Sequence, residues 1–99
     1  MTPKEAKLIT AYFDADQDVK VQRPTAGLSL LDLSDWMLDP IRTDIEVIMA
    51  WQPFSSAQLW GNYSCEEHST QMARLIQAGV TERIIDAIQE SRRQFPWKK

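Results

Sequence analysis

Residues 28–38 read LSLLDLSDWML. Ser29, followed three positions later by Asp32, marks a helix start, because a serine hydroxyl there can accept from the free amides of the first turn. On a helical wheel Leu28, Leu30, Leu31, Leu33, Trp36, Met37 and Leu38 cover nearly the whole circumference. A helix that is apolar on every side is a buried helix. In a chain of 99 residues only one central helix can be enclosed by its own neighbours. Either 28–38 is that central helix, or another molecule covers part of it.

The segment is followed by Asp39-Pro40. Aspartate caps helices and proline sits at first helical positions, so this pair closes one helix and opens the next. The next helix carries Ile41, Ile45, Ile48 and Met49 as one stripe, and Pro53 stops it. Ser55 with Gln58 offers another start. Gly61-Asn62 then weakens the helix, and Ser64 with Glu67 forms a capping box. Residues 55–78 therefore read as one kinked helix, or as a short helix and a longer one. His68, Met72, Leu75 and Ile76 form the later stripe. Gly79 suits a left-handed cap, with Val80 folding back on Leu75. Thr81 caps a last helix whose apolar side holds Ile84, Ile85, Ile88 and Phe95. Pro96 ends it and leaves a loose tail at 96–99.

On the N-terminal side, residues 19–28 alternate briefly and then meet Pro24 and Gly27. They read as an extended loop with a short strand near 19–23. A lone strand is marginal in water. Before it, Thr2-Pro3-Lys4-Glu5 is a capping box with proline at the first position. Ala6, Ile9 and Phe13 share one face behind it, flanked by Tyr12, and predict a helix over 3–15. The expected fold is all-α: a single domain over 1–99, built as a compact orthogonal bundle of five short helices, or six if 55–78 divides.

Bulk properties agree. The chain is 43% hydrophobic and 25% charged, which are globular values. Its net charge is −3. Residues 1–50 hold five Lys/Arg against nine Asp/Glu, a balance of −4, and residues 51–99 hold six against five, or +1. A general affinity for nucleic acid or for an anionic membrane is disfavoured. No apolar run approaches the roughly 18 residues of a membrane span. The opening MTPKEAK lacks the apolar core of a signal peptide. A lone cysteine, Cys65, does not suit a disulfide scaffold. The cytoplasm is the expected setting, and there the sequon Asn62-Tyr63-Ser64 has no meaning.

Three patterns invite a chemical reading. Asp14, Asp16 and Asp18 alternate like the first ligands of an EF-hand loop. Numbered from Asp14, however, the glycine position holds Val19 and the bidentate glutamate position holds Thr25, so calcium is not expected. Cys65 and His68 share a helix face, but a zinc site needs three or four ligands and the chain has one histidine and one cysteine. No phosphate loop, nucleophile elbow or HExxH motif occurs. The expectation is a protein that is not an enzyme and holds no metal or cofactor. Arg83, Arg92, Arg93, Lys98 and Lys99 make the C-terminal end basic, which supports one alternative, a nucleic-acid-binding module using 81–99. Glu82, Asp86 and Glu90 on the same helix oppose it.

The four tryptophans, Trp36, Trp51, Trp60 and Trp97, are many for this length. Segment 49–60, MAWQPFSSAQLW, places three aromatics on or beside a loop, where a small core has trouble absorbing them. Trp, Tyr, Met and Arg are enriched at interfaces. The expected function is therefore a small regulator, an antiactivator or inhibitor, that binds another protein and blocks the surface it needs for its own dimer or ligand. The expected anchors are Leu31, Trp36, Leu38, Trp51, Phe54 and Trp60. The acidic first half suits a basic-surfaced target such as a transcriptional regulator. A homodimer is also expected, and no membrane partner.

Overall fold

The computed structural model describes residues 1–14, 28–56 and 64–96. They form five helices and no strand: α1 (Pro3–Phe13), α2 (Leu30–Leu38), α3 (Asp44–Ser56), α4 (Cys65–Gln77) and α5 (Val80–Gln94). The extended segment expected near 19–23 and the loose end of the tail, 97–99, lie outside the described residues.

Local chemistry explains most boundaries. Thr2 Oγ1 accepts from the Glu5 amide at 3.2 Å, with Pro3 in the first turn of α1. Ser29 Oγ does the same for Asp32 at 3.1 Å, and Ser64 Oγ for Glu67 at 3.1 Å. Each satisfies an amide that a helix start would otherwise leave bare. Gly79, at φ 79°, lets the chain leave α4 and enter α5 across a two-residue link, Ala78-Gly79. Its N–H donates to Ile76 O at 3.0 Å, and its carbonyl accepts from Arg83 N at 2.9 Å. The last helix thus starts at Val80, not behind a Thr81 cap. Thr81 is already helical, and its buried Oγ1 has no partner among the described residues.

Two boundaries around α3 differ from expectation. Asp39-Pro40 opens no helix. Asp39 Oδ1 accepts from Ile41 N at 3.1 Å and Asp39 O from Arg42 N at 3.1 Å, so the pair makes a tight turn. The start lies at Thr43: its N–H and hydroxyl each reach Glu46 Oε1 at 2.9 Å, while the Glu46 amide points back to Thr43 Oγ1 at 3.4 Å. This is the reciprocal capping box. Ile41 therefore leaves the expected stripe and stands 75% exposed on the turn. Pro53 does not stop α3, which runs on to Ser56. Proline removes a donor from the ladder, but Phe54 is fully buried and its carbonyl is met by His68 Nε2 at 3.1 Å. Tertiary contacts hold a turn that propensity disfavours.

The central helix is α3 rather than α2. Val47, Ile48, Met49 and Ala50 are four consecutive buried residues, which at about 100° per residue wrap most of the circumference. α1, α2 and α5 pack around α3, and α4 packs on α2 and α5. α1 and α5 lie side by side and run the same way. Met1 neighbours Gly79 and Glu82 at their heads, and Thr10 Oγ1 sits 3.2 Å from both Ser91 O and Phe95 O at their tails.

Candidate interaction surface

α2 positions the first three expected anchors. Its core face is Leu30, Leu33 and Met37, with Ser34 buried beside them. Leu31 lies off that face and is 48% exposed. Leu38 is seven positions on, about 20° away around the helix, and is half-buried against the core. These two share a flank. Trp36 is five positions from Leu31, about 140° around, and faces another side. Its half-buried ring lies under the Arg42 guanidinium, 4.1 Å from the ring centroid, and its carbonyl accepts from Arg42 Nε at 3.3 Å. A cation over an indole face is a stabilising contact. Here it pins the 39–43 turn to α2.

The anchors from the 49–60 segment separate further. Trp51 is half-buried on α3 and stacks on Phe54, with centroids 6.1 Å apart and planes at 18°. Phe54 is 0% exposed, so it is a core residue and not an anchor. The reason is the continuation of α3 through Pro53, which puts Phe54 on the enclosed helix instead of in a loop. Trp60 lies outside the described residues. Leu31 and Leu38 therefore share one flank, Trp36 sits on another, and Phe54 leaves the set.

The flank that carries Leu31 is framed by a polar cluster between α2 and α4. Arg74 donates to Ser34 Oγ at 2.9 Å, to Gln71 Oε1 at 2.7 Å and to Asp35 Oδ1 at 2.8 Å. Ser34 Oγ lies 2.7 Å from Gln71 Oε1 and 2.9 Å from Leu31 O. Buried polar groups need such partners, because an unmade bond costs about 1–3 kcal/mol. This cluster also turns α4. Its buried residues are Gln71 and Leu75, so Ile76, expected in the stripe, stands 57% exposed. On α5, Ile85 is likewise 49% exposed, because the buried side runs through Val80, Ile84, Ala87 and Ser91.

Several other ionisable groups are engaged locally. Arg83 Nε meets Asp44 Oδ1 at 2.6 Å, and its Nη2 donates to Arg42 O at 2.5 Å. Glu5 Oε1 accepts from Asp44 N at 2.7 Å, which fastens α1 to the head of α3. His68 also lies against the Phe54 ring, 5.3 Å between centroids. A carbonyl can only accept, so the His68 ring donates from Nε2 and acts as a helix-end partner for α3. Cys65 is exposed. Asp14 is half-buried at the end of α1, whereas Asp16 and Asp18 lie outside the described residues. Among the described residues no three His, Cys, Asp or Glu side chains converge as metal ligands, and no helix is long and apolar enough to cross a membrane.

Sequence reasoning missed one feature. A shallow cavity of about 450 Å³ opens beside Met1 and the head of α3 and runs along α5, lined by Asp44, Glu82, Arg83, Asp86 and Glu90. Its sequence signal is the Glu82, Asp86, Glu90 spacing, which puts three carboxylates in one row along a helix. Comparison with protein families, curated proteins and solved structures finds no match for this chain.

Proposed function

We propose that this chain is a small regulator that works by binding another protein, using the Leu31–Leu38 flank of α2, and blocks a surface that the partner needs for its own dimer or ligand. The observation that carries this reading is Leu31, a large apolar side chain 48% exposed beside Leu38 and bordered by the Arg74–Asp35 ion pair. An apolar centre with a polar rim is the usual anatomy of a protein interface. The −4 balance of residues 1–50 favours a basic-surfaced partner such as a transcriptional regulator. A second copy of the chain is the other occupant of that flank. A reducing cytoplasm fits the single exposed cysteine. Catalysis forms no part of this reading.

The nucleic-acid alternative finds less support. Arg83 and Arg92 are nine positions apart on α5, which sets them about 180° apart around the helix. Arg83 is occupied by Asp44, and Arg93 pairs with Glu90 at 3.2 Å. A phosphate-reading stripe needs its cations on one side.

The test compares the wild-type protein with Leu31→Glu. Each is used for affinity capture from the native host with mass spectrometry, beside a light-scattering mass across concentration. The expected result is a captured protein, or a dimer, that is lost in Leu31→Glu while the thermal melt stays unchanged. Equal capture and equal mass for both proteins refute the α2 flank. Binding that collapses with added salt and ignores Leu31→Glu favours nucleic acid instead.

A further inference from the structure

We draw no further inference here: the strongest candidate, the shallow cavity along α5 beside Met1 and the head of α3, where Glu82, Asp86 and Glu90 line up near the Arg83–Asp44 pair, is a carboxylate cluster with no second observation in the structure that points to what would occupy it.

Discussion

α2 and α3 are the two most apolar stretches of the chain, and they bury their side chains in opposite ways. α2 keeps one face inside, through Leu30, Leu33 and Met37, and leaves Leu31 out. α3 buries Ile45, Phe54 and the whole run from Val47 to Ala50. The difference lies in their neighbours. Among the described residues α1, α2 and α5 pack on α3, with His68 of α4 at its end, whereas α2 packs mainly on α3 and α4. An all-round apolar wheel states how much a helix stands to gain from burial. The number of helices that pack on it decides how much is realised, and the remainder stays on the surface for a partner.

The sharpest way to break the comparison is Phe54→Ala. Its side chain is fully enclosed on the central helix, and such truncations cost about 3–5 kcal/mol. Urea unfolding should show a loss of that size; a loss below about 1 kcal/mol would mean that α3 is not the enclosed helix. Within α2 the contrast can be tested by two leucines of the same type. Leu33→Ala should cost about 2–5 kcal/mol, against under about 0.5 kcal/mol for Leu31→Ala. Equal losses would dissolve the inside and outside of this helix. The Leu31 variant should instead lose the captured partner or the dimer.

Smaller effects probe the exposed flank of α2 and the start of α3. Ser34→Ala leaves Gln71 and Arg74 one partner short in a buried cluster and should cost about 1–3 kcal/mol. Thr43→Ala removes the α3 cap, for a loss of about 1 kcal/mol, and Asp39→Ala should cost less because its side chain holds only a turn. Chemical denaturation of both orders them; a larger loss from Asp39→Ala would move the start of α3 back to the Asp39-Pro40 pair.

Much of the fold was legible because its signals are local. Thr2 with Glu5, Ser29 with Asp32, and Ser64 with Glu67 each show a helix start within four residues, and all three hold. Gly79 was equally plain. Asp39-Pro40 misled because the same two residues suit a cap and a turn, while the reciprocal Thr43–Glu46 pair was present and went unread. Pro53 misled because the forces that overrule it come from residues far along the chain. The candidate site was legible only as a surplus of apolar side chains. Which of them face outward depends on contacts such as Arg74 with Ser34, 40 positions apart, and no periodicity encodes those. The stripes drawn through Ile76 and Ile85 failed for that reason, whereas Ile41 was lost to the local Asp39-Pro40 turn.

Pro53 has one more consequence. The final turn of α3 lacks a rung of its own ladder, so its order depends on the grip of His68 from the neighbouring helix. That makes residues 53–56 a built-in gauge of whether α4 is seated. When α4 lifts, the amides of this turn should be the first in the central helix to open to solvent and trade their protons, well before the rest of the core gives way.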